Sequence, residues 1–309
     1  MKLKGVLSNK NIVLRIVVWF LLILVMTLPT MIIWRAVVGP DPSLSALKTF
    51  QVLQTFAVFI VPVLVLAYLS KERPLAWLHL TQGMSLRTVL WVMAMILVLS
   101  PGINLLSWLN EQVNLPEWLS AIEAQLQATE EAADALTRLF AEADTIPELL
   151  LNLVIMALLP AIGEELCFRG GCQGLFPDGT AGPMPEGDSP YSKRVRLRAR
   201  THVAVWVTAF LFSAMHFQFY GFIPRMLLGA LLGYLLCFSG SLYVPMLAHF
   251  TNNAFAVSCF YLSGKGLVSE EAMETFGSGG TWWMGVISLI AGCLMMYFFA
   301  RQQSSARHP

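Results

Sequence analysis

Two acids and an arginine stand where an apolar stretch would be expected to continue. Residues 146–162 form an apolar run, and Glu164, Glu165 and Arg169 follow it directly. A charge deep in a bilayer costs about 2.5–3.5 kcal/mol on insertion scales, so such residues usually face a functional, water-containing cavity. On a helix, Glu165 and Arg169 share a face at i, i+4 and can form an ion pair, whereas Glu164 projects about 100° away. Glu164 is therefore the candidate for chemistry.

Two histidines and an amide also lie in segments predicted to be apolar helices. His216 closes the run that begins at Phe212, and His249 and Asn253 share a helical face at i, i+4. A single histidine inside a membrane more often joins two helices by a hydrogen bond than acts as a catalyst. Two histidines, an amide and a carboxylate from three separate helices favour a common site, because each would otherwise carry an uncompensated desolvation cost.

These groups supply what hydrolysis of an amide bond needs. A carboxylate in apolar surroundings is a stronger base than one in water, so it can take a proton from a water molecule. One imidazole can orient that water or protonate the leaving amine, and a second imidazole with an amide can donate hydrogen bonds to the oxyanion. A zinc ion held by Glu164, His216 and His249 is the alternative. Because the sequence contains no His-Glu-x-x-His, spacing does not indicate a metal.

The chain that must position these residues is a membrane protein by composition. It is 56% hydrophobic and 13% charged, which is outside the range of soluble globular domains. Its five cysteines lie in or beside apolar segments without a Cys-x-x-Cys, which indicates buried thiols and not a disulfide framework. With about 20 residues needed per span, we predict an all-α fold of eight transmembrane helices at 12–34, 50–70, 88–110, 147–169, 201–219, 222–239, 243–263 and 282–300.

The distribution of basic residues predicts the orientation of these spans. Of the 20 Lys and Arg residues, 15 lie on one side of the predicted spans: in the N-terminal segment, the 71–87 loop, residues 169–200 and the C-terminal segment. Basic residues concentrate on the cytoplasmic side, so both termini are expected there. The first apolar run exceeds a signal-peptide core of about 7–15 residues, so an uncleaved first span is expected. The remaining five basic residues are Arg35, Lys48, Arg138, Arg225 and Lys265.

Two connecting segments carry patterns of their own. Residues 111–146 mix acids with apolar residues near helical spacing, which predicts an amphipathic helix or helix pair on the outer membrane surface, with a substrate-gating lid as the alternative. Residues 177–200 combine a Gly/Pro-rich turn region with a basic run, which predicts a cytoplasmic loop that anchors by the positive-inside rule or binds anionic lipid. Gly229 and Gly233 predict a close approach of helices.

Three motifs follow one another in a fixed order: Glu-Glu-x-x-x-Arg at 164–169, Phe-x-x-x-His at 212–216 and His-x-x-x-Asn at 249–253. Over about 147–255, this order resembles the CPBP (Abi, or CAAX protease and bacteriocin-processing) family of intramembrane proteases. It is similar to the CAAX endopeptidases that trim prenylated proteins. The 177–200 stretch is longer than the usual connection between the first two motifs, so substrate entry is expected to differ.

The resemblance implies a role for each motif residue. Glu164 is the catalytic acid and base, His216 is the first catalytic histidine, and His249 with Asn253 forms the oxyanion site. The supporting residues are the ion pair of Glu165 with Arg169 and the packing residue Phe212. Both a metalloprotease and a metal-independent glutamate mechanism are proposed for the family. The residues here favour the second, so no cofactor is expected to be required, with zinc as the alternative.

The motifs can meet only under one geometric condition. If the fourth span ended near Arg169, Glu164 would lie at the cytoplasmic end while His216 lay at the outer end. We expect the fourth helix to run on towards Phe176, which places Glu164 at mid-depth. Gly170, Gly171 and Gly174 would then serve close helix packing.

The sequence thus predicts three regions: a three-span part at 1–146, a catalytic core at 147–263, and a last span with a cytoplasmic tail at 264–309. The hypothesis is an intramembrane endopeptidase, multi-pass in a prokaryotic plasma membrane, that cleaves a membrane-associated protein or peptide. Its partners are that substrate and the lipid bilayer, and nucleic acid is not expected. Two rivals are a proton- or ion-coupled transporter and a non-catalytic bacteriocin-immunity or scaffold protein.

Overall fold

A computed structural model describes residues 3–179 and 190–307, and within these residues all regular secondary structure is helical. The chain is a polytopic all-α membrane protein, as its composition predicts: six helical segments are long and apolar enough to cross a membrane. The long helices are α1 Ile12–Val38, α2 Leu44–Ser70, α3 Leu86–Glu111, α4 Ser120–Ala141, α5 Ile146–Phe176, α6 Pro190–Ala214, α7 Phe222–Ser239, α8 Tyr243–Gly264 and α9 Trp282–Arg307.

Two of the eight predicted spans form helices that are less apolar than the rest. The six segments that meet the criteria for a span are α1, α2, α3, α5, α7 and the segment Gly279–Gln303, which contains most of α9. Helix α6 begins in the basic run, and α8 carries His249, Asn252 and Asn253, which lower its mean hydropathy. The count of eight and the cytoplasmic position of both termini therefore stay predictions.

The segment expected to be a loop at 177–200 is in part helical. Residues Gly174–Gly179 continue the helical structure beyond α5, and α6 already begins at Pro190. Proline is favoured in the first turn of a helix, and the Lys, Arg, Leu and Ala residues that follow are good helix formers. The prediction of a loop over the whole of 177–200 was therefore wrong for residues 177–179 and 190–200, which are helical. Residues 180–189 lie outside the described part of the chain.

Helix α5 runs through to Phe176, so Glu164 lies within the helix and not at its end. The helix is not uniformly α-helical, however: it has π-helical stretches at Leu153–Leu158 and Leu166–Gln173. A π-turn bonds i to i+5 and is frequent at functional sites. Helix α2 contains a third such stretch at Thr55–Ile60.

The described helices pack as two compact units, and α5 contributes to both. The first unit comprises residues up to Gly83, Leu159–Thr208 and Gly233–Met246. Its core is a cluster of buried aliphatic side chains from α2, α5, α7 and the segments before α3 and α8: Val63, Ala67, Leu78, Leu166, Leu236 and Leu242. Close packing of these side chains against one another stabilises the first unit through van der Waals contacts.

Glycines let helices of the first unit approach closely, as predicted. A Cβ atom at Gly171 would lie 2.6 Å from Val63 Cγ2, and one at Gly170 would lie 3.0 Å from Leu78 Cδ2. At Gly233, a Cβ would lie 2.8 Å from Gln173 Oε1. Gly174 has more room, since the nearest atom is Trp77 Cζ2 at 3.5 Å. In lipid there is no hydrophobic driving force between helices, so close contact between their backbones stabilises the packing instead.

The second unit comprises Met84–Leu158, Ala209–Leu232 and Leu247–Pro309. Its main contact is between α3 and α9. Ser288 Oγ donates to the Val98 carbonyl at 2.6 Å and accepts from the Gly102 N–H at 2.9 Å. This pair of bonds satisfies backbone groups beside Pro101, which cannot donate in the ladder of α3.

Helix α4 is the amphipathic helix predicted within 111–146, and its polar face points into the second unit. Glu130 and Gln127 bond to residues 218–220, and Glu123 Oε1 accepts from the Leu115 N–H. Apolar residues at its start and on its opposite face are exposed: Trp118, Ile122, Leu136 and Leu139. A soluble protein would turn these residues inward. Their exposure supports the prediction that α4 rests on the membrane surface.

Replacing Gly171 by alanine should destabilise the first unit, because Val63 is fully buried and cannot move away from the new methyl group. The expected loss is about 1–3 kcal/mol, the usual cost of overpacking. Gly174→Ala is the matched control and should be neutral or slightly stabilising, since alanine is the better helix former. Thermal unfolding in detergent measures both. Val63→Ala should restore part of the loss in the Gly171→Ala background, and equal losses at both glycines would contradict the packing argument.

Candidate active site

The two adjacent acids of α5 have different surroundings. Arg169 Nη1 donates to Glu165 Oε1 at 2.7 Å, and both side chains are fully buried. This is the i, i+4 pair that the spacing of the two residues indicates. Neutralising two charges against each other is the condition under which they can be kept inside an apolar helix bundle.

Glu164 differs from Glu165 in that part of its side chain remains accessible. It lies next to Gly163, whose missing side chain leaves the helix close to α2: a Cβ there would lie 2.8 Å from Thr55 Cγ2. Glu164 is partly exposed as a residue, although its Oε2 atom is buried, whereas Glu165 is fully buried.

His216 lies in a turn and not in a helix, which corrects the prediction of a span reaching residue 219. Helix α6 ends at Ala214, and Phe217 adopts a left-handed backbone conformation with φ of 53°. The His216 Nδ1 atom lies 2.8 Å from the Phe212 carbonyl oxygen. A carbonyl can only accept, so Nδ1 carries the hydrogen, and Nε2 is the acceptor nitrogen of the neutral ring.

Phe212 brings the two candidate histidines into one aromatic cluster. Its ring lies edge-on to the His216 ring with a centroid distance of 5.1 Å, and edge-on to the His249 ring at 5.9 Å. Edge-to-face geometry at these distances is favourable for aromatic rings. His249 is buried, whereas His216 is partly exposed. Phe212, expected from the motif to have a packing role, thus contacts both imidazoles.

Asn253 follows His249 by one helical turn of α8 and takes part in two polar contacts. Its Nδ2 atom lies 3.5 Å from the Met156 carbonyl oxygen, and its Oδ1 atom accepts from Asn252 Nδ2 at 3.2 Å. Met156 lies in the π-helical stretch Leu153–Leu158 of α5, where the backbone bonding is shifted. The side-chain amide that is the candidate oxyanion donor therefore reaches a carbonyl of α5 in the second unit.

The described units each hold part of the predicted residue set. Glu164, Glu165 and Arg169 belong to the first unit. The second unit brings Phe212, His216 and His249 together and contains Asn253 on α8. The catalytic roles of Glu164, His216, His249 and Asn253 stay predictions.

A zinc site was the alternative use of Glu164, His216 and His249. Within the described residues, no three His, Cys, Asp or Glu side chains are grouped so that they could hold a metal ion. The choice between a metal-free reaction and a zinc site stays a prediction.

Sequence reasoning missed the residues that hold the turn of His216. Asn110 of α3 donates to the Phe219 carbonyl at 3.2 Å and accepts from the Ile223 N–H at 2.9 Å. Glu130 of α4 accepts from Gln218 and from the Tyr220 N–H. These partners are about 90–110 residues apart in sequence, so no local spacing signals them.

Comparison with known proteins assigns the segment that carries these motifs. Residues 146–255 match the family model described as type II CAAX prenyl endopeptidase Rce1-like. The resemblance to the CAAX protease family is confirmed over this segment. The matched residues agree with the segment 147–255 over which the motifs resemble this family. The family is one of peptide hydrolases.

One curated relative has partial similarity to the chain. The uncharacterized protein YpbD of Bacillus subtilis (strain 168) is 28% identical over 107 residues. The aligned region covers 33% of this chain and 42% of that protein, so the chain spans less than half of this relative. No solved structure matches the chain.

Removing Glu165 should destabilise the protein far more than removing an exposed acid. Glu165→Ala leaves the buried Arg169 without its carboxylate, which costs about 3–5 kcal/mol for a buried pair. Asp144→Ala is the control, because Asp144 pairs with Lys265 at 3.4 Å but is almost fully exposed, and its loss should have little effect. Thermal unfolding in detergent gives both values.

A double substitution separates the charge from the packing. Glu165→Leu with Arg169→Leu removes both charges at once, so it should be less destabilising than Glu165→Ala alone. If Glu165→Ala were fully stable and yet inactive, the roles of Glu164 and Glu165 would have to be exchanged.

Proposed function

We propose that the chain is an intramembrane endopeptidase that hydrolyses a peptide bond of a membrane-associated protein or peptide. The observation that carries this proposal is the difference between the two acids of α5: Glu165 is fully buried against Arg169, whereas Glu164 keeps accessible surface. The family match over 146–255 supports the reaction class. The proposed location of the protein is the plasma membrane of a prokaryote, which the chain would cross several times.

In the proposed reaction, Glu164 is the general base. It takes a proton from a water molecule, and the resulting hydroxide attacks the carbonyl carbon of the scissile peptide bond. Glu164 then returns the proton to the leaving amine as the carbon–nitrogen bond breaks.

His216 orients the attacking water in this scheme. Its Nδ1–H donates to the Phe212 carbonyl, which fixes the ring and makes Nε2 an acceptor towards a water hydrogen. His249 and Asn253 have the N–H groups needed to stabilise the oxyanion of the tetrahedral intermediate. Loss of one such donor typically costs about 2.7–4 kcal/mol of transition-state stabilisation.

Substituting the proposed base should abolish cleavage without unfolding the protein. Terminal-peptide mass spectrometry of membranes from cells with and without the chain would identify a cleaved substrate. A peptide from that substrate then serves in assays with purified protein. Glu164→Gln keeps the size of the side chain but cannot take the proton, so we expect a loss of about 10²–10⁴ in kcat.

Two further variants complete this test. His249→Ala should lower kcat by about 10²–10³, the usual effect of losing an oxyanion donor. Glu131→Ala on α4 is the control for a lost surface acid and should retain activity. Cleavage that persists in Glu164→Gln would refute the assignment. Solute uptake into proteoliposomes with no cleavage would favour a transporter, and a phenotype unchanged in Glu164→Gln would favour an immunity or scaffold protein.

Chelation tests the choice between the metal-free reaction and zinc. We expect the purified protein to keep its activity after treatment with 1,10-phenanthroline and dialysis, because the proposed reaction uses only side chains. A zinc enzyme treated in parallel should lose its activity, which establishes that the treatment removes metal. Loss of activity that returns on adding zinc would show that Glu164, His216 and His249 act as ligands.

A further inference from the structure

The turn that carries His216 is held by side chains from three helices. Residues 215–221 connect α6 to α7, and Phe217 adopts a left-handed conformation that a bulky residue rarely takes. Such a conformation persists only where the surroundings over-determine it. Asn110 of α3 bonds the backbone of the turn at two points, and Ser213 Oγ donates to the Phe222 carbonyl at 2.7 Å.

Glu130 of α4 makes the most direct link to the middle of this turn. Its Oε1 atom accepts from Gln218 Nε2 at 3.2 Å, and its Oε2 atom accepts from the Tyr220 N–H at 3.2 Å. Gln218 in turn accepts from Arg225 Nη2 at 2.8 Å. Both oxygens of one carboxylate are therefore used to fix two positions of the turn. Hydrogen bonds to an ionised acceptor are stronger than neutral ones.

The surroundings of Glu130 are acidic and partly shielded from solvent. It lines a cavity of about 360 Å³ together with Glu111 of α3 and with Glu131 and Asp134 of α4. Burial raises the pKa of Glu130, and the charge of Asp134 raises it further, while the Tyr220 N–H and the charge of Arg225 act in the opposite direction. Acidification thus protonates Glu130 more readily than an exposed glutamate.

We propose that Glu130 is a positioning residue for His216. It holds the turn 215–221 through Gln218 and Tyr220 and thereby sets the position of the His216 ring. The inference rests on the proposed catalytic role of His216. Glu130 itself touches no candidate catalytic side chain among the described residues. Its effect on cleavage therefore passes through the backbone of the turn, and the position of the His216 ring depends on an acid of the amphipathic helix.

The link has a defined response to pH. The ionised carboxylate accepts two hydrogen bonds from the turn, whereas a protonated one has a hydrogen on one oxygen and loses one of them. As the pH falls through the raised pKa of Glu130, the turn should loosen and cleavage should slow. The other groups that titrate or carry charge near the link are Glu111, Glu131, Asp134, Arg225 and His216.

Variants of the protein in detergent test the inference. Glu130→Ala removes both acceptor atoms. Glu130→Gln keeps one acceptor oxygen and places an amide against the second donor. Glu131→Ala is the matched control, since Glu131 lines the same cavity and makes no hydrogen bond to another described residue. Amide hydrogen exchange of a peptide covering 215–221 reports the turn, and kcat and KM for the identified substrate peptide report the reaction.

We expect Glu130→Ala to speed exchange across 215–221 at least tenfold and to lower kcat at least tenfold with little change in KM. Glu130→Gln should fall between the wild type and Glu130→Ala, and its protection of 215–221 against exchange should no longer weaken on acidification. The acid-side decline in kcat that comes from protonating Glu164 should remain. Glu131→Ala should match the wild type in exchange and kcat. Thermal unfolding checks that the variants are folded, and Gln218→Ala, which removes the partner side chain instead, should reproduce the loss of kcat.

The possible outcomes separate this inference from the proposed function. Unchanged exchange in Glu130→Ala overturns the inference whatever the activity. Faster exchange with unchanged kcat also overturns it while leaving the endopeptidase intact. Equal losses in Glu130→Ala and Glu131→Ala would show an effect of charge alone and overturn it too. A wild-type protein that cleaves nothing refutes the proposed function, and the role of Glu130 in catalysis falls with it.

Discussion

The cost of charge inside an apolar helix governs the structure around the candidate site. Glu165 and Arg169 are both fully buried, and their 2.7 Å ion pair offsets part of the cost of burying each charge. A membrane protein that needed only a span would use aliphatic residues at both positions. The pair instead engages the carboxylate of Glu165, while the adjacent Glu164 remains partly exposed.

The same constraint explains how the histidines are arranged. Each imidazole lies against the ring of Phe212, and His216 also donates to a backbone carbonyl of the preceding helix. The edge-to-face ring contact and the hydrogen bond at Nδ1 together hold the His216 ring in place. The turn beyond Ala214 positions the His216 ring, so the polar groups that hold the turn would matter for the proposed reaction.

Much of the fold follows from sequence because it depends on local or periodic signals. Hydropathy located α1, α2, α3, α5, α7 and α9, and the i, i+4 spacing indicated the pair of Glu165 with Arg169. The requirement that Glu164 not lie at a helix end predicted the continuation of α5 to Phe176, and the glycines after Arg169 predicted tight packing there.

The rest depends on contacts between distant residues or on small differences in backbone energy. The end of α6 at Ala214 coincides with a left-handed Phe217, a conformation held by Asn110, Glu130 and other distant residues that no local motif reveals. The helix at 190–200 was obscured by the prolines and glycines that precede it. The π-helical stretches of α5 differ from α-helix by one residue per turn, which composition does not encode.

Those wide turns have a consequence for changes in the length of α5. In a regular membrane helix, deleting one residue rotates everything beyond it by about 100° and presents the wrong faces to lipid and to neighbouring helices. The stretch Leu166–Gln173 can avoid this rotation, because its i to i+5 hydrogen bonds can become i to i+4 hydrogen bonds when one residue is removed. Helix α5 can therefore accommodate the loss of one residue between Arg169 and Gly174 while Gly174 and the residues beyond it keep their orientation.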